Sequence, residues 1–355
     1  MSLQGSAQLL RTAQELLRTH LRQVYHHLDN PEVQEVMINS PTNIWLERNG
    51  EYERLDIEIS AAALSSAITI LGNLNRRDIT QVMDCRLPGL RIAATLPPVA
   101  VHGPSMSIRR HSARSFTLDD YLASGALDPR RNIEQQVLAS DSERPSDEAV
   151  AAGREGLAAF LAWMVRARVN YMITGSTSSG KTALLNALAT LIPAADRVVT
   201  IEDTAELQIQ VPNWVSFEAN AASGIAIRDL VRHTLRYRPN RILVGEIRGA
   251  EAFDMVDAYN TGHPGSSVSF HSDSAELGLS RLENMVRMAP EATNWPLADL
   301  RRQIAATFRF VVHASNVRGH RGPTEVIEIL SAHEGGYRTR SLFKKQFSFS
   351  QRASS

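Results

Sequence analysis

Residues 171–192 read YMITGSTSSGKTALLNALATLI, and this stretch decides the fold. Tyr171 to Thr174 are apolar and β-prone, the loop that follows is rich in glycine and serine, and Ala183 to Ile192 have helical spacing. Gly175, Gly180, Lys181 and Thr182 fill every fixed position of G-x-x-x-x-G-K-[ST]. A merely flexible loop would not need a strand before it and a helix after it. A phosphate cradle does. Its glycines let the backbone close around a phosphate, and the amides of Gly175, Ser176, Thr177, Ser178, Ser179 and Gly180 point inward. Lys181 then reaches the β and γ oxygens, and Thr182 offers an oxygen to magnesium. The lysine stands out for a second reason. Of 38 basic residues only Lys181, Lys344 and Lys345 are lysines, so an interior lysine in an arginine-rich chain marks a place where a compact ammonium is needed.

Outward from the loop, apolar runs alternate with helical patterns. The runs are Tyr171–Thr174, Val198–Ile201, Ile242–Gly245, Val268–Phe270, Phe308–His313 and Val326–Leu330; the clearest helix spans 226–236. Such βα alternation predicts a largely parallel sheet covered by helices. Upstream, Val36–Ile38, Asn43–Glu47 and Leu90–Ala93 read as strands and Ala61–Leu74 as a helix, which makes a small mixed α/β domain. Residues 9–28 place Leu9, Ala13, Leu16, Leu17, Leu21, Val24 and Leu28 on one helical stripe, suited to docking on the chain's own domain or on a neighbour. Residues 127–155 are polar and poor in large apolar side chains, as a linker is. The expected division is therefore an amphipathic helix (1–29), an N-terminal α/β domain (30–126), a linker (127–155), a phosphate-loop α/β domain (156–335) and a tail (336–355).

Composition narrows the classes. At 355 residues and 39.2 kDa the chain exceeds one compact core, and 43% hydrophobic content is enough to build two. Acidic and basic residues balance at 38 each, so no global field recruits nucleic acid or anionic lipid. One cysteine, Cys85, excludes an internal disulfide framework and a four-cysteine zinc site. No stretch reaches the ~18 apolar residues of a membrane helix; the nearest, 157–173, is broken by Arg166 and Arg168. The N-terminus lacks the pattern of a secretory signal.

Hydrolysis of a bound nucleotide needs an acid beside magnesium and a carboxylate that aligns water with the γ-phosphate. Two acidic strand ends qualify: Glu202, Asp203 and Glu206 in RVVTIEDTAEL, and Glu246 in RILVGEIRG. At the carboxyl edge of a parallel sheet they would face the phosphate loop. NTGHPGSSVSFHSD adds His263 and His271, but no acid or cysteine completes a metal site with them, and a γ-phosphate sensor or an interdomain polar contact fits better.

The succession GSTSSGKT, RVVTIEDTAEL, RYRPNRILVGEIRGAEA and NTGHPGSSVSFHSD resembles the Walker A, Asp box, Walker B and His box of the secretion-ATPase superfamily. Within it the chain looks most like the hexameric traffic ATPases of type IV secretion and conjugative transfer, with the tight-adherence pilus motors second. LPPVAVHGPSMSIRR and FTLDDYLASG resemble their N-terminal domain, so the likeness spans about residues 30–330. The resemblance implies a RecA-like C-terminal domain, an N-terminal domain that lids the nucleotide, and a homohexameric ring using ATP and Mg2+. It implies that Glu206, with Glu202 as second choice, activates water, and that Glu246 is the Walker B acid near magnesium. It places His271 near the γ-phosphate with His263 in support, and makes Arg91 and Arg109, or Arg110 in its place, the N-terminal arginines that reach phosphate. Its partners would be inner-membrane components of a secretion or conjugation machine, met at the cytoplasmic face with peripheral membrane contact possible. No direct nucleic acid is expected, since the chain is neutral and lacks a basic-aromatic run. Pro239-Asn240 stands where the family often has Pro-Asp, and Ser269 and Ser272 flank His271 where Thr and Ala are usual. The missing four-cysteine cluster argues against a type II secretion or pilus-extension ATPase. A nucleotide-gated adaptor with little turnover is the rival reading.

Overall fold

The computed structural model describes residues 3–74, 81–111, 117–128 and 143–347. Its strands, in chain order, are β1 Val33–Ser40, β2 Asn43–Arg48, β3 Glu51–Leu55, β4 Val82–Leu87, β5 Leu90–Thr95, β6 Ser105–Arg110, β7 Tyr171–Gly175, β8 Val198–Glu202, β9 Trp214–Glu218, β10 Arg241–Val244, β11 Ser267–Phe270, β12 Phe310–Val317, β13 His320–His333 and β14 Gly336–Lys344. They belong to two compact units. One gathers Met1–Leu138, Ala194–Ala205 and Val211–Asn240; the other gathers Ala139–Pro193, Glu206–Gln210 and Arg241–Ser355. Residues 194–205 and 211–240, inside the span read as the phosphate-loop domain, thus cluster with the N-terminal residues.

In the first unit an antiparallel sheet runs β3-β2-β1-β6-β5-β4. Alternate residues Val36, Ile38, Ile44, Leu46, Ile92, Ala94, Met106 and Ile108 are buried on one face, in one core with Leu17, Leu64, Ile68 and Leu71 of two packed helices, Leu3–His20 and Ala61–Leu74, and with Leu21 just after the first. The second helix has the bounds expected from sequence. The first is shorter than the predicted 9–28 and breaks at Leu21, but Leu17, Leu21, Val24 and Leu28 of its stripe are spent on this core; Leu9 and Ala13 lie outside the described side chains. Strands β3, β4 and β6 were not expected, because EYERL is mostly exposed and SMSIRR alternates with serine.

The other face of that sheet is polar yet also buried. Glu35, Glu47, Thr95, Ser105 and Ser107 are all shut from solvent. What covers them is the stretch from Arg197 to Arg238, with β8 and β9 paired in parallel and helix Ile227–Thr234. The match is made by hydrogen bonds, as burial of polar groups requires. Arg197 donates to Asn39 Oδ1 at 2.8 Å, Asn213 Oδ1 at 2.5 Å and the Tyr237 carbonyl at 2.8 Å. The Tyr237 hydroxyl meets Thr95 and Ser105 at 2.9 and 3.0 Å, and His233 Nε2 meets Thr95 Oγ1 at 3.0 Å. Arg238 pairs with Glu47 and, at 3.8 Å, with Glu35, which also accepts from Ser107.

One consequence is measurable. Burial pushes the His233 imidazole down to about 4, with Asp84 opposing and Arg236 adding to the shift. The unfolded chain binds a proton near pH 6.5 that the folded unit refuses, so this group's contribution is complete above pH 6.5 and is lost as pH falls toward 4. The expected loss is about 3 kcal/mol over that window. Denaturant titrations at pH 7 and pH 4.5 should show it in the wild type and show it diminished in His233→Gln; equal pH slopes in both would refute the assignment.

In the second unit the strand order is β14-β13-β12-β7-β11-β10. The pairs β12–β7, β7–β11 and β11–β10 are parallel, as predicted; β12–β13 and β13–β14 are antiparallel. Helices Arg154–Arg166 and Lys181–Ala189 pack together, the latter also against β7 and β11. Helices Glu251–Asn260, Ala275–Arg287 and Leu297–Thr307 form a second group, packed on β7, β12 and β13. The span expected as a tail, 336–355, opens on a strand, Gly336–Lys344. GYRTRSLFK hides it because Leu342 is its only buried side chain. In the expected linker, residues 129–142 lie outside the described residues, while Asp147–Ala152 is helical, capped by Ser146 Oγ on Ala149 N at 3.2 Å, with Val150 buried.

Candidate active site

β7 is buried along its length and delivers the chain to Gly175. From there the loop must bend sharply. Ser178 takes φ +59° and Gly180 +91°, and Gly180 caps helix Lys181–Ala189. Gly175 leaves no room for a side chain, since a Cβ would strike the Ala314 carbonyl oxygen and Ser179 Oγ. The Ser179 hydroxyl is itself buried without a hydrogen-bond partner among the described residues. A tight cradle with an unspent buried donor is what a phosphate requires.

Lys181 is 8% exposed, and its ammonium donates to the carbonyls of Gly175 and Ser176, both at 3.1 Å. Burial lowers its pKa, and the Glu246 carboxylate opposes that shift. At 3.3 Å the ammonium also meets His271 Nδ1, whose Nε2 lies 3.1 Å from Glu246 Oε1. Arg248 closes the chain, Nε to Glu246 Oε1 at 3.2 Å. Topology explains the convergence: β7, β11 and β10 are parallel neighbours, so Gly175 at the end of β7 and His271 and Glu246 just beyond β11 and β10 emerge along one edge. Thr182 sits on the first helical turn beside Lys181.

The remaining candidates are carried by other elements. Glu206 is exposed at the start of a short stretch fastened beside the loop's helix, where Gln208 N donates to Asn186 Oδ1 at 2.8 Å and Leu207 and Ile209 are buried. Glu202 ends β8 in the first unit and is buried, opposite Glu218 in register. Arg91 and Arg109 are cross-strand neighbours in that unit; Arg91 pairs with Asp84 at 2.9 Å, Arg110 donates to the Asn30 carbonyl at 2.8 Å, and Arg109 is exposed. His263 is not brought to the cluster. It precedes β11 while His271 follows it, and its carbonyl accepts from Ser266 Oγ at 2.7 Å. Among the described residues no group of three His, Cys, Asp or Glu could hold a metal alone. Sequence reasoning missed Ser179 as a buried donor and Arg248, two residues after Glu246 in GEIRG.

The family described as type II/IV secretion system protein matches residues 136–318, the stretch that holds the loop, both acidic strand ends and His271. The chain belongs to that family. It is 32% identical to the type IV secretion system protein VirB11 of Brucella suis, with 84% of this chain and 85% of that protein covered. It is 30% identical to a probable conjugal transfer protein TrbB of Sinorhizobium fredii, over 96% of this chain and 95% of that one. Among solved structures, the VirB11 ATPase of the Brucella suis type IV secretion system, in complex with sulphate, superposes with a TM-score of 0.76 at 30% identity, covering 88% of this chain and 97% of that one. The family architecture, a small mixed α/β N-terminal part and a RecA-like C-terminal part, is that of this chain.

Proposed function

We propose that this family member is a magnesium-dependent ATPase that works as a homohexamer to power assembly of, or transport by, a type IV secretion or conjugative transfer machine. The observation that carries the reading is the Lys181–His271–Glu246 chain at the mouth of a phosphate loop whose glycine admits no side chain. The residues fit a nucleotide with its metal: a buried unpaired hydroxyl on Ser179, a cradle at Gly175, and hard oxygen donors on Thr182 and Glu246. Magnesium, when held by Thr182 and Glu246, neutralises phosphate charge. Lys181 and the loop amides of 175–180 bind the phosphates. Glu206 orients the attacking water, with Glu202 the alternative, and His271 links the state of Lys181 to Glu246. Arg91, Arg109 and Arg110 belong to an N-terminal domain that closes over ATP and is joined by a linker to the ATPase domain. Among the described residues no helix is long and apolar enough to cross a membrane; attachment at the cytoplasmic face of the inner membrane would come through partner proteins or a peripheral surface such as the first helix.

The test is phosphate release by size-resolved oligomer, with magnesium and with a chelator, for wild type, Glu206→Gln and Glu202→Gln. Glu206→Gln should bind ATP normally and lose turnover by about 10²- to 10⁴-fold, the usual worth of a positioned general base. If only Glu202→Gln is silent, the water role passes to Glu202. Wild type that binds ATP but never releases phosphate, even with the machine's components added, would replace the motor by the adaptor.

A further inference from the structure

Beneath the phosphate loop lies a buried polar pair that the roles above leave unused. Thr174, the residue before Gly175, and His313 on β12 stand opposite one another in the parallel register, with Thr174 Oγ1 and His313 Nδ1 3.0 Å apart. They are 0% and 4% exposed. Val311 and Val312 on the same strand show that apolar residues fill this layer readily, and a hydroxyl and an imidazole there cost free energy unless matched. On its other side His313 is in register with Glu325 of β13. Glu325 in turn accepts from the amide of Ala275, which opens the helix after the His271 loop, at 3.2 Å, and pairs with Lys344 of β14 at 3.3 Å. Burial lowers the imidazole's pKa and Lys181 adds to the shift, while Glu325 and Asp273 oppose it.

Contact between β12 and the loop continues along the strand. The Ala314 carbonyl is the atom that forbids a side chain at Gly175, and Asn316 Nδ2 donates to the Ser178 carbonyl at 3.4 Å. Beyond the turn, Arg321 Cβ lies 3.6 Å from where a Cβ on Gly180 would stand. β12 and its hairpin therefore support the loop at its root, its crest and its end, and the root contact is the one made through buried side chains.

We propose that His313 is a positioning residue for the phosphate loop: by holding Thr174 it fixes the strand end from which Gly175 turns, and so sets affinity for the nucleoside triphosphate without touching it. This rests on reading the loop as an ATP site. Loop amides and an ammonium bind phosphate well only when pre-aimed, and a small rotation at the root of the loop misdirects all of them together.

The chemistry of the contact supplies the test. An asparagine amide sits near the position of Nδ1 and can replace it; a glutamine amide reaches toward Nε2 and cannot. In the full chain, direct titration with a fluorescent ATP analogue and steady-state kinetics would be compared for wild type, Lys181→Ala, His313→Leu, His313→Asn, His313→Gln, Thr174→Ser and Thr174→Val. His313→Leu should weaken ATP binding and raise KM about five- to tenfold, the worth of one buried hydrogen bond, with kcat at saturating ATP within about twofold of wild type. Asn and Thr174→Ser should restore affinity to within about twofold, while Gln and Thr174→Val should behave like Leu. The Thr174→Val, His313→Leu double variant should bind no worse than either single one. Unchanged affinity in His313→Leu, equal recovery by Asn and Gln, or additive loss in the double variant would each overturn the proposal. If His313→Leu does not fold, the Thr174 pair decides alone. Binding that ignores Lys181 would sink the ATP reading and this proposal with it, whereas Lys181-dependent binding that ignores His313 and Thr174 would sink only the latter.

Discussion

Lys181→Ala is expected to abolish ATP turnover and to weaken ATP binding sharply while leaving the fold intact. The ammonium bridges the carbonyls of Gly175 and Ser176 and contacts His271, so it sits where the loop closes on phosphate oxygens. A preorganised cation aimed at developing phosphate charge is worth about 10²- to 10³-fold in rate, and here the same group also contributes to ground-state binding. Its burial is costly to the protein, shown by the downward pull on its pKa, so alanine should not lower thermal stability. Lys181→Arg should fail as well, because a planar guanidinium cannot enter a pocket framed by two carbonyls and an imidazole. Calorimetric ATP titration together with phosphate release reads both effects. Turnover within about threefold of wild type in Lys181→Ala would remove the loop from the mechanism.

Arg197→Met is expected to cost the first unit about 3–5 kcal/mol, the largest stability effect of any single side chain described here. Arg197 is wholly buried and meets three acceptors, on Asn39, Asn213 and Tyr237. Methionine fills much of the volume but takes the donor from Asn39 Oδ1 and the Tyr237 carbonyl, leaving Asn213 Oδ1 only its bond from Asn39 Nδ2, and it removes the positive charge that offsets buried Glu35, whose pKa is already raised by burial. Urea unfolding followed through Trp45 and Trp214 would report it. A loss below about 1 kcal/mol would mean that the network is replaceable by packing, as some buried ionic clusters are.

The legible parts of this chain are those whose signal is local. The loop and its flanks declare themselves within 22 residues, and helix Ala61–Leu74 has apolar positions at helical spacing and no competing polar face. The parallel core follows from strands apolar throughout, β7, β10 and β11 among them. Illegible were features whose partners are distant in sequence. Asn39, Thr95 and Ser107 look like exposed strand residues until Arg197, His233 and Tyr237, more than a hundred positions later, cover that face. The convergence of Lys181, His271 and Glu246 needed strand order as well as motif. His263 shows the limit of motif proximity: eight residues from His271, it is separated from it by a whole strand. His313, one histidine in FVVHAS, gave no sign beyond its run of apolar neighbours.

Strand β14 is the last of the sheet among the described residues, hydrogen-bonded on one side to β13. Such an edge invites another chain to add a strand, and the risk grows when many copies are held close together. Arg338, Arg340 and Lys344 project along it, all exposed, and Lys345 follows directly. A strand added there would have to accommodate Arg340, paired with Asp147 and Glu328, and Lys344, paired with Glu325. Charge along the last strand therefore opposes lateral growth of the sheet.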